Sequence, residues 1–277
     1  MILDLVSPWR TAVEAAEPAH AQSTFRSRHS ALFETLRRQR APLADSLPLA
    51  TDTDELQRLA RRAADPDGLQ GLRDALGHAA RLGADGCACV ILLAGDGTGE
   101  TAESLPWPNG EAVVFLDRTP DTRTLIAAVG RSVAALTRWR AVDSHSPVRR
   151  WREVPWDRWQ ASRDLPLGEW IYTAGLGAHL AQALLPELRP HQLLGMSQAA
   201  FTRLRQREKV YDALLAADLD RSGLGLVLRW LTPAAPAGAR TVAGVVLPPL
   251  AGHYLAWRML AGRIERVGLR EAIRMAA

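Results

Sequence analysis

The sequence predicts an α+β fold that is mainly helical, with a small sheet beside two central helices. Apolar residues recur at helical spacing in residues 121–140 and again in residues 167–185, which predicts two long helices. Apolar runs of strand length occur at residues 87–93 and 111–117, and these predict two buried strands. Helical patterns account for most of the remaining chain, so we expect a single small sheet.

Residues 121–140, DTRTLIAAVGRSVAALTRWR, form the first predicted central helix. Its apolar face consists of Leu125, Val129, Val133 and Leu136. Its opposite face, where Arg131 is the one large side chain, consists of Ala127, Ala128, Ala134 and Ala135. Thr119 is predicted to cap this helix, with Pro120 at its first position and Asp121 in its first turn. A helix that is apolar on one side and small on the other is typical of a buried helix with close neighbours.

Residues 167–185 form the second predicted central helix. One of its faces is small and apolar and consists of Ile171, Ala174, Ala178 and Ala181. We expect this face to pack against the alanine face of the first helix, because small side chains allow two helices to approach closely. Apart from Tyr172, the ionisable groups of this helix are Glu169 and His179.

Glycine-rich segments separate the two predicted strands. Residues 95–100, GDGTGE, could bind a phosphate or a cation, but neither a GK[ST] sequence nor the calcium-loop spacing follows, so a tight turn is favoured. Asn109 and Gly110 predict a turn immediately before the second strand. Cys87 and Cys89 have no second cysteine pair, so an apolar structural role is favoured over metal binding.

Residues 1–82 are predicted to be the helical N-terminal part of one domain that spans residues 1–277. Residues 1–47 are mainly helical, with an apolar stripe made by Leu32, Phe33 and Leu36. Residues 51–64 form a helix capped by Thr51 or Thr53, and residues 69–82 form another. The DPDG sequence at residues 65–68 predicts a turn between them.

The C-terminal half is predicted to contain helices at residues 198–219, 249–261 and 268–276. Residues 149–170 connect the two central helices and interleave tryptophans with arginines, and Pro155 and Pro166 favour an irregular connection. Such a segment could stack on bases and neutralise phosphates. Tryptophans that cover the rim of the core, with arginines stacked on their outer faces, are the favoured interpretation.

Composition indicates an ordinary globular protein. The chain of 277 residues is 47% hydrophobic and 23% charged, with a formal net charge of +4. Lys209 is the only lysine among 34 basic residues, a bias typical of a high-GC genome rather than of a nucleic-acid binder. Two cysteines provide no disulfide framework, so we expect a cytoplasmic protein. The chain has no apolar run of membrane-spanning length, so no membrane partner is expected.

Three segments together resemble a bacterial family of predicted zinc-dependent metallopeptidases of the gluzincin type. They are the strand at residues 112–116, the helix that ends in LTRW, and IYTAGLGAHLAQALLP at residues 171–186. In that family the first helix contains HExxH and the second contains EGLA. AGHYLAWRML at residues 251–260 is similar to a later glycine-aromatic run of the family, with Tyr254 as the aromatic residue. The resemblance implies a gluzincin-like fold for residues 83–277, with the second predicted strand along the edge of the cleft.

Carried over residue by residue, the resemblance implies that the zinc site is absent. When LTRW is matched to the family's motif, HExxH falls on residues 131–135, and the glutamate of EGLA falls on Ala174. The positions of the ligands and of the catalytic base are therefore occupied by Arg131, Ser132, Ala135 and Ala174. A catalytic zinc needs three protein donors and a carboxylate base. We therefore expect no metal, no cofactor and no catalytic residues of the family type.

The rest of the cleft is expected to include Glu169, His179, His253 and Tyr254. Arg131 would stand where the family has its first ligand, and a guanidinium there would repel a divalent cation. A buried arginine needs a carboxylate partner or a route to solvent, and Glu169 is the predicted partner.

The sequence thus predicts a catalytically inactive, metallopeptidase-like protein that acts by binding or regulation through an unidentified protein or peptide partner. One alternative is an active hydrolase with an unrecognised site, for example at residues 95–100. A nucleophilic Ser132 with His179 or His253 as its base is conceivable, but nothing in the sequence spacing supports it. Another is a nucleic-acid-associated protein that uses the tryptophan and arginine connection.

Overall fold

The computed structural model shows a mainly helical α+β protein with one small mixed sheet and a separate two-stranded hairpin. It describes residues 1–40, 49–95, 102–105, 109–116, 121–141, 157–232, 235, 237–275 and 277. The predicted fold class is confirmed at this level: a small sheet lies beside two long central helices. None of the helices in these segments is both long enough and apolar enough to cross a lipid bilayer.

The main sheet has four strands in the order β1-β2-β4-β3. They are β1 (Ile2–Asp4), β2 (Cys89–Leu93), β3 (Ala102–Leu105) and β4 (Glu111–Phe115). β2 pairs in parallel with β1 and with β4, and β3 pairs antiparallel with β4. The predicted strands are thus confirmed as the neighbours β2 and β4, with Cys89 opposite Glu111. All five residues of β2 are buried, as a continuous apolar run predicts.

The sheet corrects two predictions. β1 lies in a segment predicted to be mainly helical, and β3 was not predicted. Neither has a strong strand pattern: β1 has three residues, and β3 places the charged Glu103 at a buried position. The prediction that the segment at residues 111–117 forms the edge of the cleft is also wrong, because β4 lies between β2 and β3. The strand at the edge is β3.

Three helices follow β1 before the first gap: α1 (Val6–Ala15), α2 (Pro18–Arg28) and α3 (Ser30–Arg40). Asp4 begins α1, because its Oδ1 accepts a hydrogen bond from the Val6 amide at 2.8 Å. Trp9 and Phe25 pack with ring centroids 5.2 Å apart, and both belong to the same core cluster as β2. The N-terminal part is therefore continuous with the sheet.

The helices α4 (Thr53–Ala63) and α5 (Pro66–Arg81) are both capped by aspartates. Asp52 accepts from the Glu55 amide, so neither Thr51 nor Thr53 is the cap that was predicted. Asp65 accepts from the Gly68 amide at 3.1 Å, and Pro66 is the first helical residue. The predicted DPDG turn is therefore the start of α5, because Asp followed by Pro is also a strong helix start.

The two central helices are α6 (Thr122–Arg140) and α8 (Leu167–Leu184), joined in part by α7 (Arg158–Asp164). Both central helices were predicted, and α6 begins at Asp121, whose side chain accepts from the Thr124 amide at 2.7 Å. Thr119 and Pro120, the predicted start, lie outside the described residues. α7 is regular structure in a stretch that was predicted to be irregular.

α6 and α8 pack against each other, but glycine makes the closest approach. A β-carbon on Gly177 would lie 2.8 Å from the Arg131 carbonyl oxygen, and one on Gly130 would lie 3.3 Å from the Ala181 Cα. A β-carbon on Gly175, two residues earlier in α8, would lie 2.8 Å from the Ala256 carbonyl oxygen of α13. The predicted contact between the two helices is confirmed, and Gly130 approaches Ala181, one residue of the predicted small face of α8.

The C-terminal part consists of short helices, the hairpin and one long helix. The short helices are α9 (Pro190–Leu193), α10 (Gln198–Gln206), α11 (Glu208–Ala216) and α12 (Leu224–Leu231). The hairpin is β5 (Thr241–Val242) with β6 (Val245–Val246), and α13 (Ala251–Arg274) closes the fold. The predicted helix at residues 198–219 is divided at Arg207, and Gly268, with φ 77°, kinks α13 where two helices were predicted.

Leu136 tests the assigned core face of α6. It is fully buried, so Leu136→Ala should lower the free energy of unfolding by about 2–5 kcal/mol in a denaturant titration. Arg123→Ala on the same helix is the control, because that side chain is 66% exposed and should change stability by no more than about 0.5 kcal/mol. An unchanged midpoint for the leucine variant would contradict the assigned face.

Gly177 tests the close approach of α6 and α8. Gly177→Ala should destabilise the protein by roughly 1–3 kcal/mol, because its new methyl group would overlap the backbone at Arg131. Gly225→Ala in α12 is the matched control: nothing lies within 4 Å of its added β-carbon, and alanine favours the helix by about 1 kcal/mol. Equal thermal midpoints for the two variants would argue against direct helix contact.

Candidate functional site

A cavity of about 210 Å³ lies between the two central helices and the edge strand. β3 forms one wall and α6 and α8 form two others. The turn after α9, the start of α13, Arg158 of α7 and Leu231 of α12 also line it. α6 contributes one helical face, made by Ala128, Arg131, Ser132, Ala135 and Trp139. α8 contributes Trp170, Thr173 and Ala174. The lining therefore combines small and aromatic side chains with several polar ones, among them Glu103, Arg131 and His253.

The four positions at which the sequence resemblance places the zinc ligands and the base all line this cavity. Arg131, Ser132 and Ala135 come from α6, and Ala174 comes from α8. Ser132 is 5% exposed, and its carbonyl accepts a hydrogen bond at 3.4 Å from the Ser104 hydroxyl of β3. Two helices and the edge strand therefore meet at these positions.

Arg131 lies with its guanidinium against the turn that follows α9. Its Nη1 donates to the Leu193 carbonyl at 2.5 Å, and Gly195, with φ 68°, leaves room for its Nη2. Burial lowers the pKa of Arg131 to about 10, so it remains charged at neutral pH. In the described segments no carboxylate lies within ion-pair distance of it. The side chain keeps a partial route to solvent, one of the two predicted solutions.

Glu169, the predicted partner of Arg131, pairs instead with Arg138. Their Nη2 and Oε2 atoms are 2.6 Å apart, and the side chains are 0% and 5% exposed. Arg138 also donates to the carbonyls of Ile273 and Met275, and its guanidinium lies 4.4 Å from the Tyr172 ring centroid. The prediction was wrong because Glu169 is five residues from Ala174, a rotation of about 140° around the helix.

His253 is the one predicted cleft histidine that lines the cavity. Its Nε2 lies 3.3 Å from the Leu231 carbonyl, which can only accept, so Nε2 bears the proton of the neutral ring. Burial, followed by the charges of Arg131 and Arg158, lowers the pKa of His253 to about 4. His253 is therefore neutral at pH 7 and a weak base.

His179 and Tyr254 lie in a second, larger groove between α8, α10 and α13. His179 Nε2 is 2.7 Å from the Trp257 carbonyl. The Tyr254 hydroxyl donates to Glu208 at 2.7 Å, and burial with this bond raises the pKa of Tyr254 to about 12. Tyr254 follows His253 by one residue, a rotation of about 100° in a helix, so the two cannot face the same cavity.

The residues present do not fit a zinc ion. The cavity offers a guanidinium, a hydroxyl and two methyl groups at the positions in question, and zinc needs histidine, cysteine or carboxylate donors. No group of three such residues occurs in the parts of the chain that are described. Both cysteines are free thiols, and burial raises the pKa of Cys87 to about 11, which opposes formation of a metal-binding thiolate.

Two other predicted sites fall mainly outside the described residues. Residues 96–100 of the glycine-rich loop and residues 149–156 of the tryptophan and arginine connection are not described. Of that connection, Trp170 is 7% exposed and Trp159 is 44% exposed, and Arg158 lies 6.0 Å from the Trp170 ring centroid. The described part agrees with tryptophans at the rim of the core.

Sequence reasoning missed several residues of the cavity. Glu103 lines it from β3 and is 3% exposed, and Arg158 reaches it from α7. A lone glutamate in a short apolar segment after the glycine-rich loop was a usable signal, because charged residues are rarely buried without a reason. Arg158 was noted in the sequence, but as part of a different site.

The Arg138–Glu169 pair has a measurable role in the fold beside the cavity. Glu169→Ala should cost about 3–5 kcal/mol of unfolding free energy, because it leaves the Arg138 charge buried without its carboxylate. Glu187→Ala is the control: its pair with Arg123 is exposed and 3.9 Å long, and it should cost less than about 1 kcal/mol. The double variant Glu169→Ala with Arg138→Met should lose less unfolding free energy than the sum of the losses in the two single variants. A loss equal to that sum would show that the two residues are not coupled.

Comparison with known proteins leaves the site to be interpreted from its own geometry. No protein-family model, curated protein or solved structure matches this chain. What can be said of the site comes from the cavity itself, which is lined by Arg131, Ser132, Ala135 and Ala174 and bordered by β3 and α13.

Proposed function

We propose that this chain is a catalytically inactive, metallopeptidase-like protein of gluzincin type that works by binding a protein or peptide partner. One observation carries the proposal: the four positions selected by the sequence resemblance line a single cavity. Three are on α6 and the fourth is on α8, and an antiparallel edge strand, β3, borders the same cavity. This arrangement supports the proposal because the resemblance places the same four positions around one site.

The chemistry of the cavity favours binding over zinc-dependent hydrolysis. Arg131 is permanently charged at physiological pH and stands where the first ligand would be. Its guanidinium would repel a divalent cation, and the methyl groups of Ala135 and Ala174 have no lone pair with which to bind one. Without a bound zinc ion, the zinc-bound water that is the usual nucleophile of such enzymes is absent.

The alternative of a serine hydrolase is weaker still. Ser132 and His253 line the same cavity, but the bond of His253 is to the Leu231 carbonyl rather than to the serine. A histidine with a pKa of about 4 also accepts a proton poorly at neutral pH. His179, the other proposed base, is in the second groove.

We also place the protein in the cytoplasm, where its two free thiols would persist.

Restoring the motif tests the proposed ancestry. The variant Arg131→His, Ser132→Glu, Ala135→His and Ala174→Glu should take up about one zinc ion per chain, because it supplies two histidines and two carboxylates around one cavity. Zinc content is measured by mass spectrometry of the metal after dialysis, alongside a circular dichroism spectrum that verifies folding.

The matched control retains Arg131 and makes the other three substitutions. It should bind no zinc, because it lacks the first ligand and keeps the repelling charge. A folded four-residue variant that takes up no zinc would show that the alignment is wrong. Stoichiometric zinc in the unaltered protein would instead restore the enzyme hypothesis.

A further inference from the structure

The cavity contains one arginine, Arg131, that has no carboxylate within ion-pair distance in the described segments. Arg131 has one neutral acceptor, the Leu193 carbonyl, whereas Arg138, two turns further along the same helix, has a carboxylate and two carbonyls. Burial lowers the pKa of Arg131 to about 10, and no nearby carboxylate in the described segments raises it. An anion that entered the cavity would supply the missing charge.

The charged side chains of the cavity favour a singly charged anion. Arg131 and Arg158 are its two cationic side chains, and the low pKa of His253 keeps that ring neutral. Glu103 lines the same cavity, so a carboxylate is a better match than a phosphate dianion, which would place more negative charge in a partly enclosed site.

The walls beside Arg131 favour an anion with an apolar part. Trp139 and Trp170 line the cavity with their rings edge to face, with centroids 5.9 Å apart. Ala128, Ala135 and Ala174 leave space between them. A small acyl or aryl group would bury apolar surface there while its carboxylate reached the guanidinium.

We infer that this cavity binds the carboxylate of a small, partly apolar organic acid, with the Arg131 guanidinium as its principal partner. This inference rests on the proposed function, because it assigns binding to the same cavity. It adds the chemical class of the ligand. The acid is either a free molecule or the C-terminal residue of a peptide, because both present the same group.

His253 provides an internal measure of binding. Its pKa is low partly because Arg131 and Arg158 are near, so a bound carboxylate should raise the pKa by stabilising the imidazolium. Arg131→Met should also raise it, without any ligand. An NMR pH titration of the His253 ring, assigned with His253→Gln, records both shifts.

Calorimetric titration with 3-phenylpropionate tests the inference, with 3-phenylpropanamide as the uncharged probe of the same shape. The acid should bind at least tenfold more tightly than the amide, and inorganic phosphate should bind more weakly than the acid. Arg131→Met should reduce the affinity for the acid at least tenfold. Arg123→Met, at an exposed position of α6, should leave it unchanged.

A pair of peptides distinguishes the source of the carboxylate. N-acetyl-Ala-Ala-Phe and its C-terminal amide differ only in the charge at the end that would enter the cavity. Tight binding of the peptide acid alone assigns a peptide C-terminus, and tight binding of 3-phenylpropionate alone assigns a free acid. Equal affinity for acid and amide, unchanged affinity in Arg131→Met, or no binding of either acid would overturn the inference.

The two proposals can fail separately. If the restored variant takes up no zinc but the acid binds through Arg131, the metallopeptidase ancestry is wrong and the carboxylate site stands. If zinc is taken up and no acid binds, the ancestry stands and the carboxylate site is wrong.

Discussion

The buried ion pair between Arg138 and Glu169 fixes the relative position of the elements that form the cavity. It joins α6 to α8 at 2.6 Å, and the same guanidinium donates to two carbonyls at the end of α13. Glu169 in turn accepts from the Ala277 amide at 3.2 Å. Desolvating two charges is costly, and the cost is offset only when the geometry supplies several hydrogen bonds. The network therefore requires α6, α8 and the C-terminal residues to lie in one arrangement, the one in which Gly177 meets the backbone of Arg131.

Arg131 and Arg138 show how two arginines of one helix can have different consequences. They are seven residues apart, about two turns, and so lie on nearly the same face of α6. Arg138 is at the end where the C-terminal residues supply two carbonyl acceptors and Glu169 supplies a carboxylate. Arg131 is at the cavity, where α9 supplies one carbonyl and Gly195 supplies only space. The first arrangement stabilises the fold, and the second leaves a charge available to a ligand.

The sequence predicted the parts of this structure whose signals are periodic and local. The helical spacing of Leu125, Val129 and Val133 and the apolar run at β2 were sufficient for the central helices and the core of the sheet. β1 and β3 were missed because a short edge strand needs few apolar residues and is defined by its partner. The partner of Glu169 was missed because a helix position alone cannot decide between Arg131 and Arg138. That choice depends on where the C-terminal residues return, which no local pattern contains.

The small side chains around the cavity bear on whether it has a function. Protein interiors are close-packed, and space that is left unfilled loses contacts that a larger side chain would make. Ala135 and Ala174 face the cavity from α6 and α8, and their methyl groups leave this space unfilled. A site that had lost its metal and served no further purpose could gain stability from larger residues there, with Arg131 replaced by an apolar side chain. Small walls, two tryptophans and an arginine without a carboxylate partner in the described segments are features that suit the binding function we propose for this cavity.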